Sequence, residues 1–341
     1  MTRTQKLAAW GETQKILIQL LESESTSKWR EEFENVAHLS EINNPWFTRN
    51  EQITSLKGII TLLEPEMLEK WSNAYPEKAG TPKDVGVIMA GNIPLAGFHD
   101  FLCVLLSGNN LIAKLSGSDK FLLPYIAKIY FSLLPEMQQS FKISDQLKNI
   151  DAVIATGSNN TSRYFEYYFG NKPHIFRKNR NSAAIITGDE NEFDFILLGR
   201  DIFTYFGLGC RNVSKLYVPL GYSFNEFFNN MVSYSSIMQH TKYMNNFDYH
   251  QTLFLMNRKP FLTNNFLILK EDKELSTPVS VLNYEFYTDE ADLSNKLKEI
   301  ENEMQCVVSK KGYVKPGQAQ FPSIFDYADG VDTMEFLSGL S

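Results

Sequence analysis

Apolar and polar positions change rhythm once along the chain. From Thr4 to about Ser25, Leu7, Leu17, Ile18, Leu20 and Leu21 recur at mixed spacings of three and four, which predicts an amphipathic helix. A second helical stretch begins near Arg49, and Glu-Pro in LLEPEMLEKW opens a third that runs to about Trp71, because proline fits the first helical position. The N-terminal region is thus expected to be mostly helical. The run DVGVIMAG then breaks the period: it is short, almost wholly apolar and ends in glycine, as suits a strand buried on both faces of a parallel sheet.

From there the pattern alternates. IPLAGFHDFLCVLLSG reads as a helix stopped at Gly108, NLIAKLS as a strand, and SDKFLLPYIAKIYFSLL as a helix with Ser118 or Asp119 near its cap. IDAVIATGS and NTSRYFEYYFG repeat the strand and helix. This order predicts a doubly wound, nucleotide-binding sheet with its ligand at the C-terminal ends of the strands. Further on, SAAIIT is a strand, NEFDFILLGRDIFTYFG a helix that delivers the chain to Cys210, and VSKLYVPL the strand leaving it. A helix around SFNEFFNNMVSYSSI, a polar aromatic stretch HTKYMNNFDYHQTLFLMN and strands at FLILK and VSVLNYEFY follow.

Length and composition narrow the class. With 341 residues the chain exceeds a single core, so two domains with a cleft are expected. The net charge of -7 argues against a nucleic-acid or anionic-membrane partner, and no apolar run is long enough to span a bilayer, so a cytoplasmic protein without a membrane span is expected. Cys103, Cys210 and Cys306 are too widely spaced for a zinc motif, and the five histidines show no metal-binding spacing; no metal is expected.

Three strand ends carry polar residues: MAGNIP with Asn92, IAKLSGSD with Lys114 and Ser116, and ATGSNNT with Gly157 and Ser158. Each alone is ordinary turn chemistry. Together they fall on the edge where such a sheet binds ligand. Cys210 follows Gly207 and Gly209, whose missing side chains would permit close approach of a substrate, whereas Cys103 and Cys306 read as buried and inert. His174 reads as a base, a phosphate ligand or a structural residue, and Arg177, Lys178 and Arg180 as a basic cluster, either solvated or meeting phosphates.

The ordered series GNIP, IAKLSGSD, ATGSNN, FGLGC and KELSTPVSVLNY resembles the aldehyde dehydrogenase superfamily, and within it the LuxC-type fatty acyl-CoA reductases. The glycine before Asn92, where tryptophan is usual, points to the reductase branch. The resemblance implies an α/β, aldehyde dehydrogenase-like fold: residues 1–182 as a helical segment plus a Rossmann-like NADP domain, residues 183–312 as an α/β catalytic domain carrying the nucleophilic cysteine, and residues 313–341 as a C-terminal segment packing back on the body.

By the same resemblance Cys210 attacks the carbonyl carbon and Asn92 stabilises the oxyanion, while Lys114 reaches the adenosine ribose, Ser116 is a further cofactor-binding residue, and Gly157 and Ser158 hold the pyrophosphate. Glu274 in ELSTPV matches a glutamate that binds the nicotinamide ribose, with Ser276 and Thr277 replacing the usual phenylalanine and glycine; a solvated loop residue is the alternative. Hydrolytic members carry a water-activating glutamate where this chain reads HIFRKNRNSAAII, with no carboxylate between Glu166 and Asp189. Discharge to coenzyme A rather than to water is therefore implied. Gly117 stands where NAD-preferring members often place a glutamate that repels a 2′-phosphate, so NADPH is the expected cofactor. The implied activity is NADPH-dependent reduction of an acyl-CoA to an aldehyde through an acyl-cysteine; the alternatives are another activated acyl group, as a phosphate or carrier thioester, and a catalytically silent member. The short C-terminus leaves a homodimer as the candidate assembly.

Overall fold

The computed structural model describes residues 1–22, 27–77 and 80–340, and the chain divides into two compact units, Met1–Asn179 with Pro322–Ser341, and Arg180–Phe321. The first unit opens with four helices, α1 (Arg3–Leu21), α2 (Lys28–Asn43), α3 (Arg49–Leu62) and α4 (Pro65–Asn73). Ser25, where the first helix was expected to end, lies outside the described residues. The α2 helix buries Trp29, Phe33, Ala37 and Ser40, a helical stripe half made of small residues and so nearly silent in hydrophobicity.

Next come β1 (Asp84–Ile88), α5 (Phe98–Leu106), β2 (Asn110–Lys114), α6 (Leu122–Leu133), β3 (Phe141–Ile143), β4 (Ala152–Thr156), α7 (Asn159–Phe169) and β5 (His174–Arg177). The five strands form one parallel sheet in the order β3-β2-β1-β4-β5. The chain moves outward from β1 to β3, then resumes on the other side of β1 at β4, a topological switch point whose crevice lies at the C-terminal strand ends. Alternation divides the side chains: Val85, Val87 and Ile154 join a large core with α1 to α6, while Val153 and Ala155 pack with Ile150 and Phe165 against α7. Ile324, Met334 and Leu337 of the returning C-terminal segment join the large core.

The second unit contains β6 (Asn181–Ile185), α8 (Glu192–Phe203), β7 (Val213–Pro219), α9 (Asn225–Met231), α10 (Thr241–Met256), β8 (Leu262–Thr263), β9 (Ile268–Glu271), β10 (Val281–Tyr287), α11 (Glu290–Glu299) and β11 (Met304–Val308). Its sheet runs β11-β6-β7-β10-β9-β8, parallel except for the short β8. The last helix, α12 (Thr333–Ser338), belongs to the first unit. One stretch gains an element here and one expectation needs correction. The polar aromatic stretch is the helix α10, which buries Tyr243, Phe247 and Phe254 and leaves Tyr249, Leu255 and Met256 exposed. The helix expected to run to Gly207 ends at Phe203, because Tyr205, Phe206 and Gly207 take φ values of 53°, 56° and 79°, outside any right-handed helix.

Candidate active site

Three loops leave the same edge of the first sheet from neighbouring strands. After β1 come Gly91 and Asn92; Asn92 is exposed. After β2, whose last residue Lys114 pairs with Ile88, come the exposed Lys114 and the half-buried Ser116. A Cβ on Gly91 would collide with the Ser116 side chain, so the two loops can approach this closely only with glycine there. After β4 come Gly157 and Ser158. The Ser158 hydroxyl caps α7 by accepting from the Thr161 N–H at 3.2 Å, and a Cβ on Gly157 would press to 3.0 Å of the Phe165 ring and 3.1 Å of Thr161. A bare backbone turn thus leads into a helix N-terminus, a combination that suits an anionic group.

The Asn92 loop is held by residues that the sequence did not single out for this role. The Ser55 hydroxyl donates to the Pro94 carbonyl at 2.7 Å, and the Leu95 N–H donates to the Asp119 carboxylate at 2.6 Å, with Leu95 at φ 60°. Asp119 also lies three residues before Leu122, where α6 starts behind Phe121, so it stands near the helix start as expected, although Phe121 itself makes no side-chain cap bond. Burial pushes the Asp119 carboxyl up to about 6. Because its unfolded value is near 3.9, the folded chain holds this proton more tightly, and the associated stability is present at low pH and lost as pH rises from about 4 to about 6. Asp119→Asn, with its amide oxygen on the Leu95 N–H, removes the titration. Thermal unfolding should show this variant gaining on wild type by on the order of 2 kcal/mol between pH 4 and pH 7; a difference that stays constant with pH would contradict the assignment.

His174 lies elsewhere. It opens β5 and pairs with Val153, whereas the ligand edge is reached at Arg177 opposite Thr156, about 10 Å further along the strand. Its ring stacks on Phe176 at 4.0 Å and its Nδ1 lies 2.8 Å from the Lys172 carbonyl. Of the expected roles, a structural one fits this position, since a cofactor ligand would sit at the other edge. The basic cluster is likewise corrected: Arg177 is buried, with Nη1 2.6 Å from the Asp100 carboxylate and Nη2 donating to Thr333 Oγ1 at 2.8 Å, so its charge is internal.

In the second unit Cys210 is exposed, Cys103 of the first unit is buried and Cys306 is half-buried. Cys210 sits in a turn that closes when the Asn212 N–H donates to the Gly209 carbonyl at 3.0 Å. The buried Asn212 side chain accepts from the Gly209 N–H at 2.8 Å, and the Ser182 hydroxyl donates to the Cys210 carbonyl at 3.0 Å. Glu274 is exposed on the long connection between β9 and β10. That connection turns back along the sheet, pinned where Lys215 Nζ donates to the Lys273 carbonyl, Asn283 Nδ2 to the Glu274 carbonyl at 2.9 Å and Ser214 Oγ to the Leu275 carbonyl at 2.6 Å. Ser214 Oγ also reaches the Ser182 carbonyl at 3.3 Å. Ser182 and Ser214 consequently link the Cys210 turn to the Glu274 segment. Among the described residues no group of three His, Cys, Asp or Glu side chains is arranged to hold a metal, and no helix is long and apolar enough to cross a membrane.

Comparison with known proteins agrees with this layout. The family described as LuxC, acyl-CoA reductase, matches residues 19–186, a span that ends before Cys210. No curated protein matches the chain. Among solved structures, a Mycobacterium tuberculosis aldehyde dehydrogenase complexed with NAD+ is 14% identical with a TM-score of 0.68, covering 100% of this chain and 84% of that one. Aldehyde dehydrogenase 21 from Physcomitrella patens, in complex with succinate, is 13% identical with a TM-score of 0.64, covering 91% and 74%. An E. coli NADP dependent enzyme is 13% identical with a TM-score of 0.62, covering 94% and 75%. At such identities the likeness is one of fold. Residues 19–186 are thus similar to the LuxC acyl-CoA reductases, and the chain is built on the aldehyde dehydrogenase fold.

Proposed function

We propose that this chain reduces acyl-CoA thioesters to aldehydes with NADPH, holding the acyl group on Cys210. The observation that carries the proposal is the exposed Cys210 on a backbone turn fixed from both sides by Asn212 and Ser182, in a chain whose first half matches acyl-CoA reductases. The Cys210 sulfur attacks the thioester carbonyl, a new C–S bond forms, and coenzyme A leaves as a thiol with the proton that Cys210 gave up. Asn92 takes the oxyanion role by resemblance, where loss of one donor typically costs about 10²–10³ in rate. The absence of any carboxylate between Glu166 and Asp189 supports an acyl-cysteine that is not discharged to water.

The residues at the first sheet's edge suit a dinucleotide. Gly157 and Ser158 before α7 offer the bare turn and N–H groups for a pyrophosphate, and Lys114 and Ser116 the adenosine ribose side; Glu274, in the second unit, takes the nicotinamide ribose by resemblance alone. NADPH, when bound, supplies the hydride that releases the acyl group as an aldehyde. Nothing lies within 4 Å of a Cβ on Gly117, so that position offers open space beside Lys114 instead of the carboxylate that would repel a 2′-phosphate.

The test follows absorbance at 340 nm together with free thiol and trapped aldehyde, using a panel of acyl-CoAs with NADPH or NADH. One aldehyde and one coenzyme A should appear per NADPH consumed, NADPH should outperform NADH, and Gly117→Glu should lower that preference. Turnover with acyl phosphates but with no acyl-CoA would overturn the substrate assignment, and equal use of both cofactors by both proteins would overturn the cofactor assignment.

A further inference from the structure

Asn212, two residues after Cys210, makes side-chain bonds none of which is needed merely to continue β7. Its Oδ1 accepts from the Gly209 N–H, while Nδ2 lies 3.0 Å from the Asp201 carbonyl, 3.3 Å from that of Ile202 and 2.7 Å from that of Thr204. Those carbonyls belong to the last turn of α8 and its cap, where a helix leaves carbonyl groups without intrahelical donors. One buried amide therefore fastens the end of a helix to the first residue of the nucleophile's turn. Asn212 also accepts, at its own carbonyl, from the Ser182 N–H at 3.3 Å, so the turn is tied to β6 as well.

The segment between these fixed points is strained. Tyr205 and Phe206 are bulky residues at positive φ, followed by Gly207 in the same region. Residues held there are strained and persist only where the surroundings over-determine them. Both rings are buried, and Phe206 packs 4.3 Å from the His240 ring. The strain is thus held between α8 and the Gly209–Asn212 turn, which carries the exposed Cys210.

We infer that Asn212 is a positioning residue for acyl transfer to Cys210, acting by locking the turn to the end of α8 so that the sulfur meets the thioester carbonyl in one geometry. The inference rests on the acyl-cysteine reading. A displacement of about 1 Å at a reacting group can cost 10²-fold in rate, which sets the expected size. Substrate binding, which depends on other surfaces, should change far less.

The experiment measures single-turnover acylation of the full chain by a saturable acyl-CoA without NADPH, alongside alkylation of Cys210 by iodoacetamide and thermal unfolding, for wild type, Asn212→Ala and Asn212→Asp. The aspartate is isosteric and keeps the acceptor for Gly209 while losing the three contacts to α8, so it preserves packing where alanine leaves a hole. Both variants should acylate about 10²-fold more slowly at saturation with little change in the half-saturating concentration, while Cys210 remains open to iodoacetamide. The Asn212→Asp deficit should narrow as pH falls, because a protonated carboxyl can again donate to a carbonyl of α8. Acylation at the wild-type rate in Asn212→Asp, or a deficit that only mirrors the unfolded fraction, overturns the inference on its own. A wild-type protein that never acylates sinks the acyl-cysteine reading, and this inference with it.

Discussion

Cys210→Ser will gain no acyl group from any acyl-CoA, whereas the wild-type chain will gain the mass of one acyl group in a bond that hydroxylamine cleaves. The expected effect is complete because a serine hydroxyl without a paired base is a far weaker nucleophile than a thiol, which at neutral pH already carries some thiolate. The other two cysteines cannot substitute. Cys103 is fully buried in the core of the first unit, and burial pushes its thiol well above the ordinary range, with the Asp100 carboxylate adding to the rise. Cys306 is half-buried, its sulfur 3.2 Å from the Ser182 hydroxyl. Cys103→Ser and Cys306→Ser should therefore acylate like wild type. Intact-protein mass spectrometry after mixing with acyl-CoA decides it; an acyl adduct on Cys210→Ser would move the nucleophile elsewhere and dissolve the role given to the turn.

The strands and helices that carry the ligand edge were legible because a buried parallel strand writes itself as an apolar run and a crossover helix as a longer one. Val85 and Val87 face one layer and Gly86 and Ile88 the other, so DVGVI shows no polar gap. What stayed hidden was of two kinds. Helices α2 and α10 bury stripes that mix aromatic residues with alanine and serine, or sit among exposed aromatics, so their period is faint. The supports of the site were hidden more deeply. Asp119 holds Leu95 from 24 positions away and Asn212 reaches back to Asp201, and neither pairing has a sequence period. A signal for Asn212 did exist: a polar amide immediately before the apolar strand VSKLYVP, two residues after a candidate nucleophile, has to find partners or be solvated. His174 is a different case. The sequence left a base, a phosphate ligand and a structural residue open, and only the register with Val153 shows that it begins the strand rather than ends it.

Arg177→Met will destabilise the first unit by about 3–5 kcal/mol, the cost of leaving a buried charge without its partner. The Arg177 and Asp100 side chains are 6% and 8% exposed, and their ion pair is 2.6 Å long. Burial works to lower the Arg177 pKa, but the Asp100 carboxylate more than offsets it, so the guanidinium stays charged inside the protein. Asp100 lies on α5, Arg177 ends β5, and Thr333 opens α12, so this cation ties the sheet and its helix to the returning C-terminal segment. Among the described residues, Asp100 Oδ1 and Arg177 Nε are buried without a hydrogen-bond partner, which makes the pair costly to keep as well as costly to break. Replacing both members, as in Asp100→Leu with Arg177→Met, should then recover most of the loss, since a well-packed apolar pair is often no worse than a buried ion pair. The four tryptophans, Trp10, Trp29, Trp46 and Trp71, all belong to the first unit, so urea unfolding followed by tryptophan fluorescence reports on that unit and not on the other. A loss in the single variant below about 1 kcal/mol, the scale of an exposed ion pair, would mean that water reaches the site; a double variant no better than the single would assign the stability to the Thr333 contact and the packing of α12.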